Sequence, residues 1–141
     1  MPSKPDVLIE NWFPIDVIGA ESMRERGASS ALPPLYFLHV WWARRPLTTS
    51  RAAILASVLP AWSDDWPEAL KQKFPTEDAY KAWFVWACGI FGDPVAGRKL
   101  LQLAADSGRM IPNPYNSPRA FTVSPDADSR SQVRHFAAVA P

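Results

Sequence analysis

Apolar positions along this chain come in short stretches punctuated by proline. The clearest pattern runs from Thr76 to Phe91. There Tyr80, Trp83, Phe84, Ala87, Cys88 and Phe91 recur at intervals of three and four, the spacing of one helix face. Trp86 and Ile90 widen that face, so most of this helix is expected to be enclosed. Thr76 is a candidate cap, and Glu77 and Asp78 suit the positive end of the helix. Asp93-Pro94 predicts a restart, with Asp as cap and Pro in the first turn, and a helix carrying Val95, Leu100, Leu101, Leu103 and Ala104 to Gly108.

Weaker patterns fill the first half. Val7-Leu8-Ile9, between Pro5 and Pro14, reads as a short strand or an anchored extended arm. Ile15 to Arg26 reads as a helix burying Ile15, Val17, Ile18 and Met23, with Gly27 as its C-cap. Thr48 or Thr49 can cap a helix running to about Leu59, where Pro60 stops it. Asp64 to Phe74 holds a further helix with Asp65 as cap and Pro67 in its first turn. After Arg109 the chain is proline-rich again, and its last 20 residues are polar and small. The expected fold is mainly α: a small helical domain with proline-rich loops and an extended N-terminal arm. Residues 1–121 form the domain, and 122–141 are a flexible tail or the start of a missing catalytic domain.

Composition narrows the classes. With 141 residues the chain is one domain in size, and 12% aromatics, including 7 Trp, supply a real core. Its 15 prolines against 6 glycines favour rigid loops. No apolar run reaches the roughly 18 residues of a membrane span. One cysteine, Cys88, and two histidines exclude a disulfide framework and a cysteine-rich zinc site. The start lacks a signal-peptide layout, so the cytoplasm is the expected location.

Charge adds a local signal that the net value of +1 conceals. Between Arg26 and Ser63 there are four bases (Arg26, Arg44, Arg45 and Arg51) and no acid. That stretch contains Leu38-His39-Val40-Trp41-Trp42-Ala43-Arg44-Arg45-Pro46-Leu47. Arginine offers a planar fork for phosphate, and tryptophan a stacking face for a base. His39, Trp41, Trp42, Arg44, Arg45 and Arg51 are therefore the candidates for DNA contact. The competing reading places both Trp residues in the core and pairs the arginines with Glu21, Glu25 or Asp64.

The run His39-Val40-Trp41-Trp42-Ala43-Arg44-Arg45-Pro46-Leu47, followed by Ser50-Arg51-Ala52-Ala53, resembles the signature of a domain of unknown function. That domain stands at the N-terminus of large adenine-specific DNA methylases, some of which carry a zinc ribbon. Leu8-Ile9-Glu10, Pro14-Ile15, Glu21, Arg24, Pro114-Tyr115 and Arg119-Ala120-Phe121 are similar to the family as well. The resemblance implies adenine methylation of DNA by the full-length relatives. It also implies an added α/β domain and S-adenosylmethionine as methyl donor, often in phage-defence or restriction-modification loci.

The chain departs from that pattern in its catalytic motifs. Gly92-Asp93-Pro94-Val95-Ala96-Gly97 resembles a cofactor-binding turn, but Arg98 stands where a small residue is expected and no strand precedes it. Asn113-Pro114-Tyr115 lacks one proline of the loop that holds a flipped adenine, and reads as an ordinary turn. No catalytic residue, metal site or cofactor is expected in this chain. The expected role is to position DNA or to pack on a catalytic methyltransferase domain, inactive alone. The alternative is a protein-interaction module of a defence complex. No membrane partner is expected.

Overall fold

The computed structural model describes residues 6–27, 46–125 and 127–139. These residues are mainly helical. Helices α1 (Leu8–Asn11), α2 (Ile15–Gly27), α3 (Leu47–Val58), α4 (Glu68–Lys73), α5 (Glu77–Ala87), α6 (Pro94–Asp106) and α7 (Ala127–Val139) follow in order, with a 3-10 turn at Ala120–Thr122 before α7. No strand occurs among them. No helix among them is long and apolar enough to cross a membrane.

The two capped helices form as their sequences dictate. The Thr76 side chain accepts from Ala79 N–H at 3.1 Å, and that of Asp93 accepts from Ala96 N–H at 2.9 Å with Pro94 next in the first turn. Helix α3 starts differently. Neither Thr48 nor Thr49 caps it locally. Instead Glu25, on α2, accepts from Leu47 N–H at 2.8 Å, Thr48 N–H at 3.1 Å and the Thr48 hydroxyl at 2.9 Å. A carboxylate at a helix start satisfies orphan donors and complements the dipole. Helix α4 is shorter than expected and has Pro67, not Asp65, at its cap position.

The N-terminal arm is a clip. Val7 pairs with Pro60 in one antiparallel bridge, flanked by Leu8 N–H to Leu59 O at 2.8 Å and Ala61 N–H to Asp6 O at 2.9 Å. The single helical turn of α1 then buries Leu8. Helix α2 buries Ile18 and half-buries Val17, but Ile15 and Met23 are 72% and 52% exposed. Its inner face is filled instead by Ala20, Glu21 and Ser22.

The core is aromatic. Trp66, Phe74, Tyr80 and Phe84 are buried, with Trp12, Phe13, Trp62 and Trp83 packed around them. Tyr80 donates its hydroxyl to Pro60 O at 2.9 Å, which satisfies its one polar atom. Along α5 the buried stripe is Tyr80, Phe84 and Cys88, whereas Trp86 and Phe91 are exposed, so the helix is less enclosed than its sequence implies.

Residues 122–141 contain structure that their polarity does not announce. Helix α7 inserts Phe136 among Trp66, Phe74, Tyr80 and Trp83, with ring centroids 5.2 to 5.9 Å apart. Gln132 accepts from the Trp83 indole N–H at 3.1 Å. Phe136 and Gln132 thus tie this helix to the aromatic core.

Candidate functional site

Of the six candidate DNA contacts, five lie outside the described residues: His39, Trp41, Trp42, Arg44 and Arg45. Arg51 is described, on α3, and it is half-buried. Its guanidinium donates to Cys88 O at 3.0 Å, Ala120 O at 3.2 Å and Val123 O at 3.1 Å. It therefore fastens the end of α5 to the 3-10 turn. Gly89 makes room for it. Its φ of +86° is a conformation for glycine, and a Cβ there would lie 2.8 Å from the Arg51 nitrogen. Burial pushes the Cys88 thiol up to about 12, with the nearby Arg51 charge acting the other way.

Two of the acids expected to pair with the arginines, Glu25 and Glu21, have other partners in the fold. Glu25 caps α3. Glu21 is buried and accepts from Ala120 N–H at 2.8 Å and from Arg24 at 3.4 Å. Arg24 also donates to the Ser117 hydroxyl and to the carbonyls of Ser117 and Pro118. It lies over the Tyr115 ring, 4.3 Å from its centroid.

These contacts build an open groove of about 580 Å³ between α2, α6 and the loop 113–122. Arg24, Arg98, Asn113, Tyr115 and Arg119 line it, together with apolar side chains that include Met23 and Leu101. No acid lines it among the described residues. Arg98 and Arg119 are exposed, and neither side chain has a hydrogen-bonding or ionic partner among the described residues. Asn113 accepts from Tyr115 N–H at 3.0 Å, a turn that directs the loop back to α2. The ring of Tyr115 abuts Gly97 on α6. A Cβ at Gly97 would lie 2.6 Å from Tyr115 Cδ1, and closer still to Cε1.

Sequence reasoning missed this groove. Asn113-Pro114-Tyr115 does form a turn, and Asp93-Pro94 does start a helix, but both elements meet at the same place. The one available signal was the pair Arg98 and Arg119, neither with an acidic residue within four positions of it in the sequence. Among the described residues no cluster of His, Cys, Asp and Glu could hold a metal ion.

The described residues thus form a small helical scaffold with an open, arginine-lined groove. The chain belongs to the DUF1156 family, described as a protein of unknown function, which it matches over residues 12–86. The match spans α2 to most of α5, includes the Trp41-Trp42-Ala43-Arg44-Arg45 run, and ends before Arg98, Tyr115 and Arg119. No curated protein and no solved structure matches the chain.

Proposed function

We propose that this domain is the N-terminal part of an adenine-specific DNA methyltransferase, where it helps to position DNA or packs on the catalytic domain. It has no methyltransferase activity alone. The observation that carries this reading is the acid-free run of sequence from Arg26 to Ser63, which holds four arginines. Glu21 and Glu25 precede that stretch, and both spend their oxygens on backbone N–H groups, a hydroxyl and Arg24. Arg44 and Arg45 also fall within the family-matched residues. The test is binding of a labelled DNA duplex. Affinity should fall in Arg44→Ala/Arg45→Ala and should weaken with salt as phosphate contacts demand. Unchanged affinity in the double variant would remove the DNA role of this segment. Calorimetry with S-adenosylmethionine should give no heat with this chain, and saturable binding would make it an enzyme in its own right.

A second reading, a protein-interaction module of a phage-defence or restriction-modification complex, is favoured by α6. Leu100 and Leu103, three positions apart on one helix face, are 50% and 65% exposed there and place apolar surface side by side. Under this reading Leu100→Ser/Leu103→Ser loses association with a partner protein while DNA binding is unaffected.

A further inference from the structure

We infer that the groove between α2, α6 and the loop 113–122 binds the sugar–phosphate backbone of DNA, with Arg98 and Arg119 as the two phosphate contacts. The inference rests on the DNA-positioning reading above and gives it a second site, outside the family-matched residues. Three features carry it. First, Arg98 from α6 and Arg119 from the loop converge on one groove, although they are 21 positions apart in the sequence. Second, their charge is surplus. No acid lines the groove among the described residues, and both Glu21 oxygens beside it are engaged, by Ala120 N–H and Arg24. Third, the remaining polar groups are ordered for recognition. Asn113 uses its oxygen on Tyr115 N–H, which leaves its amide nitrogen to donate, and Arg24 fixes the Tyr115 ring.

The chemistry fits phosphodiester better than a base. Arginine pairs bidentately with phosphate oxygens. Tyr115 is held between Arg24 and Gly97, so its ring is not a free stacking platform. The groove is open, not enclosed, as a continuous backbone requires. Contacts of this kind position a duplex without reading its sequence.

The test is fluorescence anisotropy with a labelled duplex and the full chain, comparing the wild type with Arg98→Gln/Arg119→Gln and with Arg44→Ala/Arg45→Ala. Both groove side chains are exposed and make no hydrogen bond or ion pair among the described residues, so the melting temperature of Arg98→Gln/Arg119→Gln should be unchanged. Its affinity at low salt should fall roughly tenfold. The slope of log affinity against log salt should become shallower by about two, one for each phosphate released. If Arg44→Ala/Arg45→Ala weakens binding while Arg98→Gln/Arg119→Gln changes neither affinity nor slope, the groove assignment is overturned and the DNA reading stands. If the wild type binds no DNA, both fall. If the wild type binds a mononucleotide through Arg98 and Arg119 but not the duplex, the groove takes a small anion and the backbone assignment is wrong.

Discussion

Replacing Gly97 by alanine should destabilise the domain, against the usual rule for a helix interior. A glycine inside a helix costs about 1 kcal/mol relative to alanine, so Gly→Ala normally stabilises. Gly97 sits in α6, which packs against α2 and buries only Pro94, Gly97 and Ala104. A Cβ at Gly97 would lie 2.6 Å from Tyr115 Cδ1, well inside van der Waals contact. Tyr115 has little room to yield, because Arg24 lies over its ring and Arg24 is itself bound to Ser117 and Pro118. Overpacking of this kind costs about 1–3 kcal/mol, and displacing the ring from Arg24 adds about 0.5–1 kcal/mol. The net loss after the propensity gain is about 0.5–3 kcal/mol.

Thermal unfolding reads this directly. Gly97→Ala should lower Tm by about 1–12 °C. Gly19→Ala is the control. Gly19 lies within α2, and nothing stands within 4 Å of an added Cβ, so this change should raise Tm by about 2–4 °C. In a Tyr115→Ala background the same Gly97→Ala change should turn stabilising, and the cycle isolates the clash. If Gly97→Ala alone raises Tm as Gly19→Ala does, the ring is not where the argument needs it. The groove wall formed by Tyr115 would fall with it.

Three further outcomes follow from the same contacts. Arg51→Ala should cost about 2–3 kcal/mol, because it strands three carbonyls, and Arg51→Lys should recover only part of the loss by chemical denaturation; loss of DNA affinity with Tm intact would contradict this structural role. Phe136→Ala should cost about 3–5 kcal/mol and release α7, visible as faster proteolysis after residue 125. Native Cys88 should resist alkylation at pH 8 and react only on unfolding. Its thiol keeps its proton in the fold up to about 12, whereas the unfolded thiol loses it near 9.0, so this group's contribution to stability is present below pH 9 and is lost as pH rises toward 12.

What could be read from the sequence was what local chemistry decides. The caps at Thr76 and Asp93 were legible because each needs only a side-chain oxygen and an N–H three residues on. The cap of α3 was not, since its carboxylate comes from Glu25, 22 residues before Leu47. Periodicity found the Tyr80, Phe84 and Cys88 stripe, but it could not tell that Trp86 and Phe91 stay exposed, because that depends on which neighbours α5 acquires. Polarity hid α7, whose attachment depends on the single aromatic Phe136. Arg51 was legible as important and misleading as to why. A planar fork suits phosphate oxygens and carbonyl oxygens alike, and only position decides between them.

That double use of arginine connects the proline content to the groove. The loop after α6 carries Pro112, Pro114 and Pro118, and proline has no N–H to donate. Such a loop presents more carbonyls than it can satisfy internally, and buried carbonyls need partners. Arg24 and Arg51 supply them, from α2 and α3, to Ser117, Pro118, Ala120 and Val123. Glu21 completes the clamp by taking the one nearby N–H, that of Ala120. Two arginines are thus consumed in fixing the loop, and the charge of Arg24 is partly offset by Glu21. The loop so fixed holds Arg119 on the same groove as Arg98, and no acid among the described residues pairs with either. Removing a fixing arginine should therefore lower both stability and anion binding, while removing a facing arginine should lower anion binding alone. That separation is measurable in one set of four single variants, and it would fail if Arg98 or Arg119 proved as costly to stability as Arg24 or Arg51.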